Sequence, residues 1–317
     1  MDAPLAPYIV AGVSAPNLVV PPPELAATVR RWFKQDAEPW LDGLPDLVAR
    51  LSREWRLEPE RCLAGGTASL ILAARSAGHA QVVLKVPYPD PESWFEADAL
   101  ASYGGHGAVA LLDFDPTSRA MLIERALPGT PLGALPDLGQ AIDIACQILV
   151  RLRSAASPPP GLAGCADLLQ EWLRLMAAAD VHPDASRTRR LTDARELAGR
   201  LGEDPAPELL VNRDAHLGNV LRSERAGWLL IDPKPMVGPP AFEGGFLLLD
   251  AMNRSGNLDR AMTSSLLNRV AAGLQVADCL VLGWAQMRAL ENQLWAHSVG
   301  EDPTSWESRA VLLARLS

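Results

Sequence analysis

Residues 209–238 constrain the fold more than any other stretch, because polar side chains there follow short apolar runs. Each run is too short for a helix and is closed by a polar residue or glycine, so each predicts a buried strand. Asp214, Asn219 and Asp232 then provide two carboxylates and one carboxamide, and all three are predicted to lie at strand ends. The three apolar runs are residues 209–211, 220–221 and 229–231.

The spacing of these polar residues fits phosphoryl transfer. A kinase catalytic loop needs an Asp to accept the proton of the attacking hydroxyl and an Asn five residues later to hold a metal ion, and Asp214 and Asn219 have that spacing. Asp232 follows after a length that fits a hairpin, so it can hold Mg²⁺ against the phosphates. Each residue alone could cap a turn. The ordered set predicts Asp214 as the catalytic base and Asn219 and Asp232 as metal ligands.

A small-residue turn lies earlier in the chain, between two runs that predict strands within residues 62–72. Such a turn lets backbone N–H groups approach phosphate oxygens without obstruction by side chains. It matches neither of the common glycine-rich phosphate motifs, so a plain hairpin turn is the alternative. The predicted nucleotide contacts in this turn are Gly65, Gly66, Thr67 and Ser69.

A lysine and a glutamate follow in the order that a kinase requires. Lys85 lies near the end of the apolar strand at residues 82–86, and Glu96 lies in a helix predicted over residues 92–103. In kinases a strand lysine pairs with the α- and β-phosphates and is held by a glutamate on the next helix. We choose Glu96 because Leu100 follows on the same helix face. A solvated surface lysine and glutamate are the alternative.

The next apolar strand leads into an extended connector at residues 123–130. In a two-lobed kinase this segment is the hinge, and its backbone binds the adenine edge. The prediction therefore assigns Glu124 and Ala126 to nucleotide binding through their main-chain groups. Their side chains carry little information about this role.

Residues beyond 137 change to helical patterns, which places a boundary near residue 128. We predict an α+β, bilobal protein-kinase-like fold. Residues 1–127 form an N-terminal lobe with a small antiparallel sheet, and residues 128–317 form a larger, mainly helical lobe. The second lobe carries the catalytic loop, the metal site and the acceptor pocket.

A polar and aromatic face on the helix predicted at residues 278–297 is the candidate acceptor surface. It could bind a cationic or polyhydroxylated small molecule, with carboxylates neutralising amines. It could equally be a solvated face whose tryptophans pack inward. The predicted acceptor contacts are Glu243, Asp250, Arg288, Glu291, Asn292 and Trp295.

Composition narrows the remaining possibilities. The 317 residues suffice for two lobes, and the net charge of −9 argues against a nucleic-acid partner, which requires a basic surface. The charge suits a cationic substrate, but it also serves solubility. Four scattered cysteines predict buried thiols in a reducing compartment. With neither a secretory signal nor a long apolar run, we expect a cytoplasmic protein without a membrane partner, and the oligomeric state stays open.

Several motifs resemble one family. Asp214-Ala-His-Leu-Gly-Asn219 resembles the Asp-X-His-X-X-Asn motif of the aminoglycoside phosphotransferase superfamily, and Ile231-Asp-Pro-Lys-Pro235 resembles its metal-binding segment. Further motifs resemble the streptomycin 6-phosphotransferase and hydroxyurea-resistance kinase branch over residues 40–300. The resemblance implies ATP-dependent, Mg²⁺-assisted phosphorylation of an antibiotic hydroxyl. The further motifs are Trp40-Leu-Asp-Gly-Leu-Pro45, Gly66-Thr-Ala-Ser69, and Met121-Leu-Ile-Glu-Arg125 with Pro128-Gly129-Thr130.

Two departures from the family pattern concern the loop and the acceptor. The family usually has His two residues before the catalytic Asp, whereas this chain has Asn212. The family also continues to a Phe-Asp pair, where this chain has Phe242 followed by Glu243, Gly244 and Gly245. Two other functions therefore stay open: a metabolic kinase of an amino sugar or similar alcohol, and a non-catalytic nucleotide-binding regulatory protein.

Overall fold

The computed structural model describes residues 20–78, 81–178, 185–256 and 259–316. Residues 1–19, which the prediction assigns to the N-terminal lobe, lie outside this part. The chain forms two compact units: the first extends to Ala97 and includes Ala110–Arg125, and the second contains Asp98–Val109 and the chain from Ala126. The lobe boundary between residues 127 and 128 stays a prediction. The two units differ from the predicted lobes in that Asp98–Val109 belongs to the second unit.

The first unit contains a five-stranded antiparallel sheet in the order β1-β2-β3-β5-β4. All six residues of β3 are buried, as a central strand of apolar residues requires. The predicted antiparallel sheet is thus confirmed. Its strands are β1 (Leu57–Cys62), β2 (Ser69–Ser76), β3 (Val82–Pro87), β4 (Leu111–Asp115) and β5 (Ala120–Glu124).

Two helices pack in the core of this unit, α1 (Pro23–Phe33) and α2 (Ala37–Glu54). In α2, Leu44, Val48 and Leu51 recur at helical spacing and are at most 2% exposed, so they form its core stripe. A third helix, α3 (Glu96–Tyr103), begins later than predicted, because residues 91–93 form a separate 3-10 turn.

The second unit is mainly helical and carries two small sheets, one in the order β6-β8-β9 and one that pairs β7 with β10. The predicted strands at residues 209–211, 220–221 and 229–231 are confirmed as β7, β8 and β9. The strands are β6 (Pro128–Pro131), β7 (Leu209–Asn212), β8 (Val220–Ser223), β9 (Gly227–Leu230) and β10 (Pro235–Gly238). The helices are α4 (Leu138–Ala155), α5 (Cys165–Ala178), α6 (Ala185–Gly202), α7 (Ala241–Arg254), α8 (Arg260–Leu274), α9 (Asp278–Val299) and α10 (Thr304–Ala314).

Helix α7 begins at Ala241 and runs through Gly244 and Gly245, although glycine is a poor helix former. Their small size permits close packing against α9, because a Cβ atom at Gly245 would lie 2.6 Å from Cβ of Trp284. The helix therefore includes Glu243, which becomes a core residue.

No single helix in the described part of the chain is both long and apolar enough to cross a membrane. Arg260–Leu274 and Asp278–Ser298 meet the length and composition criteria only as a pair, bent by 115°.

Candidate active site

The turn between β1 and β2 requires both of its glycines. Gly65 has a φ of +107°, a conformation that favours glycine. A Cβ atom at Gly66 would lie 2.1 Å from the carbonyl oxygen of Ser69. Thr67 is exposed and Ser69 is half-buried. The turn thus has the tight backbone that a phosphate-binding turn needs, and its contact with phosphate stays a prediction.

Lys85 and Glu96 form a buried ion pair within the first unit. The Nζ atom of Lys85 lies 2.6 Å from Oε1 of Glu96, and the two side chains are 5% and 2% exposed. Lys85 lies on β3, and Glu96 is the first residue of α3. Burial excludes the alternative of a solvated surface pair. The predicted role of Lys85 at the nucleotide phosphates stays a prediction.

The predicted hinge residues lie on either side of the division between the units. The N–H of Glu124 donates to the carbonyl of Ala110 at 2.9 Å, and its carboxylate accepts from the N–H of Ala110 at 3.1 Å. Because the N–H of Glu124 is already bonded to Ala110, a contact between Glu124 and adenine would use the Glu124 carbonyl group. Ala126 is buried at the start of the second unit.

Asp214 lies two residues after the end of β7, a strand that pairs with β10. Pro235 lies opposite Asn212 in the register of the two strands. The N–H of Arg213 donates to the carbonyl of Lys234 at 2.8 Å, which extends the pairing towards the catalytic loop. The segment containing Asp214 and the segment after Asp232 thus run side by side.

Three nitrogen atoms surround the Asp214 carboxylate. Its Oδ2 lies 3.2 Å from Nδ2 of Asn219, 3.6 Å from Nζ of Lys234 and 3.7 Å from Nε2 of His216. The carboxylate is 29% exposed, so an acceptor hydroxyl can reach it. A base must lie within hydrogen-bond reach of the proton that it accepts. Asp214 is accessible, and its neighbours restrict its orientation.

Asn219 and Asp232 provide oxygen atoms of the kind that Mg²⁺ prefers, an amide and a carboxylate. Because Nδ2 of Asn219 donates to Asp214, its Oδ1 is the atom for a metal ion. Ile231 donates its N–H to the carbonyl of Asn219 at 2.8 Å, which brings the chain just before Asp232 beside Asn219. Asp232 has a φ of +50°, uncommon outside glycine and a mark of functional sites.

The oxygen donors of Asn219 and Asp232 fit Mg²⁺ better than they fit a metal ion whose ligands all come from the protein. Among the described residues, no cluster of three or more His, Cys, Asp or Glu could hold a metal ion. Mg²⁺ commonly takes one or two carboxylates and completes its coordination with water and substrate phosphates. One amide and one carboxylate beside a nucleotide are sufficient for that arrangement.

Two carboxylates on α7 hold the backbone on both sides of Asp214. Glu243 accepts the N–H of Asn212 at 2.9 Å, and Asp250 accepts the N–H of Leu217 at 2.9 Å. Asp250 also pairs with Arg254 at 2.9 Å. Both were predicted as acceptor contacts, but the structure places them where they support the catalytic loop.

Glu243 is 2% exposed and pairs with Arg153 on α4 at 3.0 Å. Burial raises the pKa of Glu243 to about 7, although the charge of Arg153 and the hydrogen bonds from Arg153 and Asn212 oppose the shift. Arg153 also donates to the carbonyl of Leu274 at 3.4 Å. Glu243 thus lies in the core of the unit, away from solvent and from any acceptor.

The predicted acceptor residues on α9 do not form one uniform polar face. Arg288 pairs with Glu291 and lies over the ring of Phe246, 5.0 Å from the centroid. Asn292 is nearly buried, whereas Trp295 is 38% exposed. The charges of Arg288 and Glu291 neutralise each other, and Trp295 is the most exposed of these four residues.

Sequence reasoning missed Lys234, His216 and Arg153. Lys234 and His216 could have been found from their motifs, because each lies two residues beyond a predicted site residue. Arg153 lies 90 residues from Glu243, and no sequence signal connects the two.

Comparison with known proteins identifies a family for this chain. Residues 54–300 match the family described as aminoglycoside/hydroxyurea antibiotic resistance kinase. The chain is 32% identical to streptomycin 6-kinase of Streptomyces glaucescens over 96% of this chain and 98% of that protein. It is 33% identical to hydroxyurea phosphotransferase of Kitasatospora aureofaciens over 88% of this chain and 81% of that protein.

The fold is also found among solved structures. Choline kinase LicA of Streptococcus pneumoniae superimposes with a TM-score of 0.62 at 16% identity, covering 85% of this chain and 98% of that one. Such a likeness establishes the protein-kinase-like fold that was predicted. Together with the family match over most of its length, it shows that this chain is an ATP-dependent phosphotransferase and belongs to the aminoglycoside/hydroxyurea antibiotic resistance kinase family.

Proposed function

We propose that this protein transfers the γ-phosphoryl group of Mg·ATP to a hydroxyl of streptomycin or a closely similar aminoglycoside. The observation that carries the proposal is the accessible Asp214 carboxylate, whose Oδ2 lies 3.2 Å from Nδ2 of Asn219. The chain that contains it is similar to streptomycin 6-kinase over nearly its whole length. The net charge of −9 favours a cationic acceptor.

Asp214 acts as the base in this proposal. It accepts the proton of the acceptor hydroxyl as the oxygen attacks the γ-phosphorus and the bond to the ADP leaving group breaks. Lys85 and the glycine turn bind the nucleotide phosphates. Asn219 and Asp232 would hold Mg²⁺, which neutralises charge on the phosphate oxygens. The chain itself supplies positioning and fixed charge, the main sources of catalysis in phosphoryl transfer.

The acceptor contacts are fewer than the sequence predicted. We assign Trp295 and Asn292 to the acceptor, with Arg288 and Glu291 as a neutralised pair beside them. Glu243 and Asp250 leave this group because their carboxylates bind backbone N–H groups of the loop. Trp295 thus gives the acceptor surface one aromatic side chain, and the Arg288–Glu291 pair adds no net charge beside it, which suits a sugar ring.

Hydroxyurea is a second candidate acceptor, favoured by the 33% identity to hydroxyurea phosphotransferase over 88% of the chain. It is much smaller than an aminoglycoside, so it needs few of the contacts made by α9. The two acceptors can therefore be separated by turnover and by the effect of Trp295→Ala, which should raise KM for the aminoglycoside only.

The test measures ADP release with Mg·ATP and either streptomycin, hydroxyurea or an amino sugar. We expect turnover with streptomycin, and a loss of roughly 10²–10⁴-fold in Asp214→Asn because the variant lacks the base. Mg·ATP affinity, measured by calorimetry, should change little in this variant. Mass spectrometry of the product should show one added phosphoryl group.

The matched control is Asp250→Asn, which changes a carboxylate that binds backbone rather than substrate. Its turnover should exceed that of Asp214→Asn by at least tenfold. Near wild-type turnover in Asp214→Asn would remove Asp214 from the role of base. Turnover of the amino sugar alone would replace the aminoglycoside by a metabolic acceptor.

A further inference from the structure

The side chain of Asn212 makes two hydrogen bonds that join separate segments of the candidate site. Asn212 is the last residue of β7 and is fully buried. Its Oδ1 accepts the N–H of Asp214 at 3.0 Å and the N–H of Lys234 at 2.9 Å. A carboxamide oxygen has two lone pairs, so one atom can serve both donors.

The two donors belong to the parts of the loop that the proposed chemistry needs to hold together. Asp214 is the proposed base, and Lys234 lies two residues beyond Asp232, a proposed metal ligand. The Lys234 ammonium also lies 3.6 Å from the Asp214 carboxylate. A shift of either backbone would therefore change the distance between base and metal ligand.

The nitrogen of the Asn212 carboxamide does not join segments of the site as its oxygen does. Nδ2 of Asn212 is buried and has no hydrogen-bond partner among the described residues. A buried donor without a partner lowers stability. The useful group of Asn212 is thus its oxygen, whose two bonds both lead to the candidate site.

A second buried group fixes the backbone of Asn212 itself. The Glu243 carboxylate accepts its N–H at 2.9 Å and pairs with Arg153 at 3.0 Å. The oxygen that binds Asp214 and Lys234 is therefore mounted on a backbone anchored to α7 and, through Arg153, to α4. Such support is what holds catalytic groups in productive geometry.

We propose that Asn212 is a positioning residue whose carboxamide oxygen couples the backbone of Asp214 to that of Lys234, so that the base and the metal-ligand segment keep one relative position. This inference rests on the proposed function for its effect on turnover. The coupling itself concerns two amide groups and can be measured without an acceptor.

The first experiment replaces Asn212 by Leu, which keeps the branched side-chain skeleton and removes the acceptor oxygen. We expect kcat for ADP release to fall roughly 10- to 100-fold, the effect of a misplaced catalytic group. The KM for ATP should stay within about threefold, because uniform binding is unchanged. Asn212→Asp keeps an oxygen for both donors, so its kcat should lie at least tenfold above that of Asn212→Leu.

The control is Thr263→Val on α8, which removes the hydrogen bond from a buried hydroxyl to the carbonyl of Asp259, away from the loop. It should lower Tm but leave kcat unchanged. The proposal is overturned if Asn212→Leu loses no more kcat than Thr263→Val. It is supported if only the Asn212 variant loses turnover and Asn212→Asp recovers it.

The second experiment follows hydrogen exchange of the Asp214 and Lys234 amides by NMR. In the wild-type protein the two amides should open together and show equal protection, and in Asn212→Leu both should exchange faster. Independent exchange in the wild type would overturn the coupling, even if Asn212→Leu fails to fold. If the wild type releases no ADP with any acceptor, the proposed function fails, and the exchange data still decide the coupling.

Discussion

Each of the two units contains a buried ion pair, and the two pairs differ in what surrounds them. Lys85 and Glu96 meet at 2.6 Å in the first unit, and Arg153 and Glu243 meet at 3.0 Å in the second. In each pair, both side chains are less than a tenth exposed. In the second pair, the Glu243 carboxylate also accepts a backbone N–H from the strand that leads to Asp214.

The comparison separates two uses of a buried charge. Lys85 carries the cation that we assign to the nucleotide phosphates, so Glu96 positions a group that binds substrate. Arg153 compensates a carboxylate that positions backbone, so its own charge need not meet any substrate. Removing a partner should therefore affect chemistry in the first unit and stability in the second.

Arg153→Met should give the largest effect. It leaves Glu243 buried without its cation, which costs about 3–5 kcal/mol when one partner of a buried pair is removed. The free energy of unfolding, measured by urea titration at pH 8, should fall by this amount. Turnover per folded molecule should fall less than tenfold, because the N–H of Asn212 keeps its acceptor.

Lys85→Met should have the opposite result, a large loss of turnover and a smaller loss of stability. Loss of a charged group at the phosphates is expected to lower kcat roughly 10²–10³-fold, the effect of removing one donor from a preorganised site. The measurement is ADP release by protein that is shown by circular dichroism to be folded. Equal loss of turnover in Arg153→Met and Lys85→Met would contradict the division between support and chemistry.

The pH dependence of stability gives the smallest of the three effects. The folded-state pKa of Glu243 is raised to about 7 from the ordinary 4.5, so the folded protein binds one more proton than the unfolded chain between these values. The stabilisation from protonated Glu243 is complete below pH 4.5 and is lost as the pH rises through 7. The loss amounts to roughly 3 kcal/mol.

Glu243→Gln isolates this effect, because the amide does not titrate. The free energy of unfolding of the variant relative to wild type should rise by roughly 3 kcal/mol between pH 4.5 and 8.5. The groups whose charge interacts with Glu243 come from three other helices: Arg153 and Cys146 on α4, Cys165 on α5 and Tyr103 on α3. Burial raises the pKa of both thiols and of the phenol, so these three stay neutral in this range. A difference that does not change with pH would contradict the raised pKa of Glu243.

Much of the candidate site could be predicted because its members are close in sequence. The five-residue spacing of Asp214 and Asn219 lies within one loop, and Lys85 and Glu96 are 11 residues apart on adjacent elements. In such cases spacing and local secondary structure limit which side chains can meet. The short buried strands were predicted for the same reason, since a strand is defined by a few consecutive residues.

The sequence by itself thus determined the two-lobed class and the family, and it predicted the order of the residues that we assign to the phosphates. Only the tertiary structure decided the roles of Asn212, Glu243 and Asp250, since these depend on where α7 packs. Helix α7 continues through Gly244 and Gly245, which pack closely against α9, and Glu243 is buried within it. Arg153, 90 residues away, then becomes its partner. Burial and distant pairing arise when helices pack, and for that reason no local pattern predicts them.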